Sequence, residues 1–169
     1  CNTCHDVTRY GVDSLKTSLG HKKQTGTRNA PTVYNAAIQI AQFWDGRAKT
    51  IEEQAEKPIT NPVEMAMTDD KAVIAVLNSI PEYQANFKKV FPEDKDAVTL
   101  KNVGRAIGAF ERTLVTPARF DKFLAGDASA LTDAEKAGLK KFIDVGCPSC
   151  HAGPYLGGQD FKKLGLAKP

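Results

Sequence analysis

The sequence predicts a mainly α fold with long loops and little β structure. In several segments apolar residues recur at steps of three and four, the period at which one face of an α-helix is buried. Gly, Pro, Asn and Thr concentrate at 11–34 and 56–68, which favours long loops there. No alternation of apolar and polar residues is long enough to indicate a substantial sheet.

Four segments in the first two thirds of the chain carry the helical pattern. Residues 35–48 mix Ala, Ile, Gln and Phe ahead of an Asp-Gly turn and predict an amphipathic helix. Residues 69–78 predict a second helix, and Pro81 can occupy the first turn of a third. The clearest pattern covers 98–115. Its buried stripe is expected to contain the apolar residues at helical spacing, Leu100, Val103, Ile107, Phe110 and Leu114.

A Thr-Pro pair after residue 115 interrupts this pattern, because proline and the residue before it disfavour a helix. We therefore expect two domains, over 1–115 and 116–169. In the second domain, Thr132 and Glu135 have the spacing of a capping box and predict the start of a further helix. Three apolar side chains of that helix are expected to face inward, Leu139, Phe142 and Ile143.

Composition and charge exclude two classes of partner. Apolar residues make up 41% and charged residues 25%, which is typical of a globular protein. No apolar run approaches the roughly 18–20 residues that cross a bilayer, so we expect no membrane partner. The net charge of +3 is small and dispersed, so nucleic acid is not an expected partner either.

Two copies of a Cys-x-x-Cys-His motif, at Cys1–His5 and Cys147–His151, contain all four cysteines and two of the three histidines. Thiols three positions apart can add to the two vinyl groups of one porphyrin, and the histidine that follows can ligate its iron. The motifs therefore predict two covalently bound haem c groups, in two cytochrome c-like haem domains. The residues expected to hold them are Cys1, Cys4, His5, Cys147, Cys150 and His151.

The cysteine pairs fit a zinc site, a redox site or disulfides less well. The pairs are about 140 residues apart, whereas a zinc ribbon spaces them by roughly 15–20. A thioredoxin-like site needs a βαβ setting that is not visible here, and two disulfides would not require a histidine after each pair. Because haem c is attached outside the bacterial cytoplasm, we expect the protein in the periplasm.

The third histidine and one glutamate are candidates for chemistry at the first haem. His21 lies in a polar, Gly-containing loop, and Glu64 lies in a Pro-containing loop. Judged by position alone, both are ordinary surface residues. A loop that returns over a haem could instead place His21 on the open side of the iron, as a sixth ligand or an acid–base group.

Motifs along nearly the whole chain resemble the bacterial dihaem cytochrome c peroxidases. They run in family order from the first Cys-x-x-Cys-His to Leu156-Gly157-Gly158-Gln159-Asp160. Between these ends lie Gly20-His21, Thr27-Arg28-Asn29-Ala30-Pro31-Thr32-Val33-Tyr34-Asn35, Gln42-Phe43-Trp44-Asp45-Gly46-Arg47-Ala48, Glu53-Gln54-Ala55 and Asn61-Pro62-Val63-Glu64-Met65.

The resemblance implies an enzyme that reduces hydrogen peroxide to water with electrons from a small c-type cytochrome or copper protein. It implies that the haem on His5 is peroxidatic and that the haem on His151 accepts the electrons. It also implies a calcium ion between the domains and a homodimer. The domain over 1–115 would then be the peroxidatic one, and 116–169 the start of the electron-transfer one.

The resemblance also implies roles for single residues. His21 matches the distal histidine that caps the first iron in the inactive form, and Glu64 matches the acid–base carboxylate. Three further residues match the pocket glutamine, the tryptophan that carries electrons between the haems and a side-chain calcium ligand, namely Gln54, Trp44 and Asn29.

Two alternatives stay open at this point. One is a dihaem oxidase of the quinone-cofactor maturation type, and the other is a non-catalytic electron-transfer cytochrome in which His21 stays on the iron. In the family the sixth ligand of the second haem, usually Met, lies well beyond the second motif, and Met65 and Met67 match no such ligand. We therefore expect the chain to lack the C-terminal part of the second haem domain. Because the first haem motif stands at residue 1 and a preceding segment normally packs on the haem, we also expect it to lack an N-terminal lead-in.

Overall fold

The computed structural model describes residues 1–163 as short helices joined by long loops. Within this range the β structure is confined to two isolated bridges, between Leu19 and Thr25 and between Gln42 and Ala48. The mainly α prediction is therefore confirmed. The α-helices are α1 (Ile51–Thr60), α2 (Asp70–Asn78), α3 (Pro81–Val90), α4 (Leu100–Glu111), α5 (Arg119–Leu124) and α6 (Asp133–Asp144). Short 3-10 helices cover His21–Lys23, Ala36–Ile38, Ala128–Ala130 and Cys147–Ser149.

The chain divides into two compact units, Cys1–Val115 and Thr116–Pro169. Each carries one Cys-x-x-Cys-His motif. The assignment of the units to a peroxidatic and an electron-transfer haem domain stays a prediction. None of the helices described in residues 1–163 has both the length and the apolar character needed to cross a bilayer.

Helix α1 was not anticipated, because its C-terminal half falls in the loop predicted over 56–68. The Thr50 hydroxyl caps it by accepting a hydrogen bond from the Glu53 N–H at 3.2 Å. Pro58 lies inside the helix and contributes no N–H. The following loop folds back on the end of the helix, so that the N–H of Met65 donates to the Pro58 carbonyl at 3.2 Å. This return holds the 61–66 loop against α1.

Helix α4 packs on α1 through glycine. A Cβ at Gly104 would lie 2.7 Å from the main-chain oxygen of Glu52, and one at Gly108 would lie 2.8 Å from its carboxylate. The fully buried face of α4 therefore includes these glycines rather than the whole predicted stripe. Leu100 of that stripe is buried, but Phe110 is 55% exposed. The prediction for Phe110 is wrong, because α4 contacts α1 through Gly104 and Gly108 and not through the face that carries Phe110.

The apolar core of the first unit joins α1, α2 and α4 through Ile59, Val73 and Leu100, with Met67, Leu77 and Val103 packed around them. The predicted helices at 69–78 and from Pro81 are confirmed as α2 and α3. On α3 the ring of Phe87 contacts those of Tyr83 and Phe91, with centroids 6.4 and 5.8 Å away.

The amphipathic helix predicted over 35–48 is wrong apart from the single turn Ala36–Ile38. Asn35 and Phe43 have φ angles of 57° and 64°, which an α-helix cannot contain. The Ala36 carbonyl accepts the N–H of Gln39 at 3.2 Å and the side-chain amide of Gln42 at 2.7 Å. This arrangement leaves Ile38, Ile40 and Trp44 exposed.

In the second unit the predicted capping box is confirmed. Glu135 donates its N–H to the Thr132 hydroxyl, and its carboxylate accepts the Thr132 N–H at 2.8 Å. Arg119 of α5 pairs with the same carboxylate, and this hydrogen bond is the largest cause that lowers the pKa of Glu135 to about 2. Contrary to expectation, Ile143 is 57% exposed, and no residue of α6 is fully buried.

Candidate functional site

The first Cys-x-x-Cys-His segment forms one tight turn. The Cys1 carbonyl accepts the N–H of Cys4 at 3.0 Å and of His5 at 2.8 Å. The imidazole Nδ1 of His5 lies 3.1 Å from the Pro31 carbonyl. A proton on Nδ1 satisfies this contact and leaves Nε2 as the free, metal-binding nitrogen.

The second segment repeats this geometry in the other unit. The Cys147 carbonyl accepts the N–H of Cys150 at 3.1 Å and of His151 at 2.9 Å. The Nδ1 of His151 lies 2.8 Å from the Leu156 carbonyl, and its ring packs against Phe142 with centroids 6.0 Å apart. Its Nε2 is therefore free in the same way.

Both segments fit a covalently attached haem. All four cysteines are free thiols, so each pair is available for thioether bonds. Each histidine is held by a carbonyl on one nitrogen, which orients the other toward a ligand. A porphyrin also needs apolar contacts, and outside its α-helices the first unit exposes large apolar side chains, among them Leu15, Leu19, Ile38, Ile40 and Met65.

The loop of His21 is attached to the loop of Glu64. The N–H of His21 donates to the Glu64 carbonyl at 2.8 Å, and the side-chain amide of Gln24 donates to the Pro62 carbonyl at 3.1 Å. Gly20 lies so close to the Val63 carbonyl that any Cβ would overlap it. Two residues that are 43 positions apart in sequence are thus brought into one place, with both side chains exposed.

The loop of Glu64 is organised by Asn61. The Asn61 side-chain oxygen accepts the Val63 N–H at 2.9 Å, and its main-chain carbonyl accepts the N–H groups of Glu64 and Ala66. Its side-chain nitrogen donates to Oε1 of Glu64 at 2.7 Å. The carboxylate is therefore held in one orientation although it is exposed to solvent.

The remaining predicted site residues lie in the same unit. The indole N–H of Trp44 donates to the main-chain carbonyl of Asn29 at 3.1 Å. Gln54 is a half-buried residue of α1. Within residues 1–163 no three His, Cys, Asp or Glu side chains are grouped as a metal site. The roles of Trp44, Asn29 and Gln54 stay predictions.

Sequence reasoning missed a cluster of charges between α1 and α4. Arg112 pairs with Glu52, and Glu111 lies beside them with 8% of its surface exposed. Burial, together with the Glu52 carboxylate, raises the pKa of Glu111 to about 7, although Arg112 opposes the effect. A glutamate at the end of an amphipathic helix ordinarily faces solvent, so no local signal marks this one.

Two haem-attachment turns, each with free thiols and an oriented histidine, define this protein as a dihaem c-type cytochrome of mainly α structure. The sequence profile of the di-haem cytochrome c peroxidases matches residues 1–129. The chain belongs to this family, as its motifs predict.

Individual relatives agree with the family. The chain is 52% identical to the cytochrome c551 peroxidase of Pseudomonas aeruginosa, over 99% of its own length and 49% of the relative's. It is 49% identical to that of Nitrosomonas europaea, over 100% of this chain and 50% of the relative. A crystal structure of a MauG-like protein associated with microbial copper homeostasis superposes with a TM-score of 0.78 at 25% identity, covering 95% of this chain and 49% of the other. The chain thus spans about half the length of the relatives that it matches.

Proposed function

We propose that the protein is a peroxidase that reduces hydrogen peroxide to water. The main structural support is the association of the loops that carry His21 and Glu64. The structure places Glu64 and His21 on two hydrogen-bonded loops of the unit that holds the first haem-attachment turn. A proton-transfer group and a potential iron ligand therefore lie side by side. The identity of about half of all residues to two cytochrome c551 peroxidases supports it.

The reaction consumes one peroxide, two electrons and two protons and yields two waters. Haem supplies the iron at which peroxide is activated and the electrons that cleave the O–O bond. The carboxylate of Glu64 takes a proton from one peroxide oxygen and returns it to the other, which then leaves as water. General acid–base groups of this kind contribute about 10²–10⁴-fold to a rate. The imidazole of His21 would control access to a haem held by His5, because peroxide could not bind to the iron while the imidazole is bound there.

The proposal extends to partners and location. With haem bound, His151 would hold the group that receives electrons from a small c-type cytochrome or copper protein, His5 would hold the group at which peroxide is reduced, and Trp44 would serve as the bridge for electrons. We further propose a periplasmic homodimer with a calcium ion held in part by Asn29.

The test is turnover of peroxide by the full-length, haem-loaded protein with a reduced small cytochrome as donor. Glu64→Gln should retain both haems and lose at least 100-fold in kcat, since the acid–base group is gone. Glu82→Gln on α3 makes the same change at another exposed site and should have no effect. Equal turnover by Glu64→Gln and the parent would remove Glu64 from the reaction.

The hypothesis that His21 blocks the iron of the first haem has a separate test. His21→Gly keeps the N–H that bonds to Glu64 and deletes the imidazole. We expect its oxidised form to bind peroxide at the first haem without prior reduction. An absorption spectrum typical of a six-coordinate, low-spin first haem in this variant would contradict the role of His21 as the ligand that blocks the iron. It would favour the electron-transfer cytochrome.

The maturation-type oxidase is the second candidate, and identity argues against it. The two cytochrome c551 peroxidases match at 49% and 52% over 99–100% of the chain, whereas two methylamine utilization proteins MauG match at 34% and 35% over 98% of it. Peroxide turnover with a reduced cytochrome would support the peroxidase, and oxidation of a protein tyrosine or tryptophan without such turnover would support the oxidase.

A further inference from the structure

Asn61 lies at the end of α1 and has two hydrogen-bonding groups on its side chain that serve different purposes. The oxygen accepts the N–H of Val63 at 2.9 Å and closes the turn that follows the helix. Because a backbone N–H can bond only to an acceptor, this contact also identifies which side-chain atom of Asn61 is the oxygen. The nitrogen must then be the atom that faces Glu64.

The turn does not need that nitrogen. The other bonds that form the turn reach the main-chain carbonyl of Asn61, from the N–H of Glu64 at 3.1 Å and of Ala66 at 2.9 Å. Aspartate could accept from Val63 equally well and serine more weakly, since both make turns of this type. What distinguishes asparagine at this position is the donor, and the donor goes to Oε1 of Glu64 at 2.7 Å.

This bond restricts a side chain that is otherwise free. Glu64 is exposed, and among residues 1–163 no other side chain donates to its carboxylate. An unrestrained glutamate samples many rotamers, whereas proton transfer requires the carboxylate within hydrogen-bond reach of the reacting atom. With Oε1 held by Asn61, Oε2 is left to exchange protons.

We propose that Asn61 is a positioning residue that aims the carboxylate of Glu64 at the ligand site of the first haem. The inference rests on the proposed function for the role of Glu64. It adds a residue that touches neither substrate nor iron and acts only through Glu64.

The test measures cyanide association with the full-length, haem-loaded ferric protein at pH 8 by stopped-flow absorption. Cyanide arrives as HCN and binds as the anion, so a nearby base that takes the proton speeds its binding. Every variant carries His21→Gly, so that the imidazole cannot occupy the iron while the main-chain bond to Glu64 is kept.

Asn61→Asp keeps the oxygen that closes the turn and replaces the donor by a like charge, which turns the Glu64 carboxylate away. We expect association to slow by about 10-fold or more, the range in which supporting residues act. Asn61→Ser should restore most of the rate, because a hydroxyl three positions before a glutamate can donate to it, as Thr132 does to Glu135 at 2.9 Å. Asn86→Asp on α3 makes the same charge change elsewhere and should leave the rate unaltered.

A double-mutant cycle separates positioning from damage to the loop. Glu64→Gln should slow association at least as much as Asn61→Asp, and adding Asn61→Asp to it should slow the reaction no further. A full additional loss in the double variant would show that Asn61 acts on the loop and not through Glu64, and would overturn the proposal. So would an Asn61→Asp rate equal to that of Asn86→Asp.

Peroxide turnover of the parent protein separates this inference from the proposed function. If the parent fails to reduce peroxide but the cyanide cycle behaves as described, the peroxidase assignment fails and the positioning role stands. If the parent reduces peroxide and Asn61→Asp has no effect on cyanide or on kcat, the positioning role fails alone.

Discussion

Glu111 should give the protein a dependence of stability on pH that one substitution removes. Burial beside Glu52 raises its pKa to about 7 from an ordinary 4.5, with Arg112 opposing. The folded chain keeps a proton that the unfolded chain releases above about pH 4.5. The free energy of unfolding therefore falls as pH rises from about 4.5 to about 7 and is level above that range.

The magnitude follows from the two pKa values. A pKa of about 7 in place of 4.5 corresponds to about 3 kcal/mol, at ~1.4 kcal/mol per pH unit. The side chains of Arg112 and Glu52 are 52% and 26% exposed, so water screens part of the interaction. We therefore expect about 2 kcal/mol after this reduction.

Urea unfolding at pH 5 and pH 8 measures the effect. Glu111→Gln retains the shape of the side chain and cannot ionise. Its free energy of unfolding should therefore fall by about 2 kcal/mol less than that of the parent between these pH values. Glu82→Gln on exposed α3 is the matched control and should lose as much as the parent. Parallel losses in the parent and in Glu111→Gln would refute a protonated Glu111 in the folded state.

Four further substitutions, with Gly26→Ala as a control, test glycine packing, helix propensity and one helix cap. Gly20→Ala should destabilise the chain by about 2 kcal/mol and expose the amide between the two loops to hydrogen exchange, whereas Gly26→Ala has its nearest atom at 3.9 Å and should be nearly neutral. Gly104→Ala should cost about 1–3 kcal/mol in denaturant unfolding, because its Cβ would lie 2.7 Å from a backbone oxygen. Gly138→Ala, with nothing within 4 Å, should instead stabilise its helix by up to about 1 kcal/mol. Thr99→Ala removes the cap of α4, bonded at 3.1 Å, and should lower the thermal midpoint through a loss of about 1 kcal/mol.

Local signals predicted the helices where they were complete. The Thr132 capping box and Pro81 each marked a helix start correctly. Thr50 and Glu53 have the same spacing as Thr132 and Glu135, but Pro58 favoured a loop over 56–68. At 35–48 the composition is helical, yet the backbone turns at Asn35 and Phe43, and only contacts with the rest of the unit decide such turns.

The site divides in the same way. The haem-attachment segments are five residues long, so spacing alone specifies their geometry. The association of His21 with Glu64 spans 43 positions and depends on a tertiary contact, which sequence periodicity does not report. The family resemblance indicated both residues, but not that Asn61 holds one of them. The buried Glu111 was invisible for a related reason, because its burial is produced by the close approach of α1 to α4.

The contacts between the loops of His21 and Glu64 have a mechanical consequence. On the side of Glu64 the two hydrogen bonds are accepted by main-chain oxygens, those of Pro62 and of Glu64 itself. Since a hydrogen bond is lost beyond about 3.5 Å, the backbone of His21 can shift by less than about 1 Å before it must either detach or pull its neighbour along. These acceptors belong to the main chain and are present whatever the side chains are, so a shift of the His21 backbone either moves the two loops together or separates them.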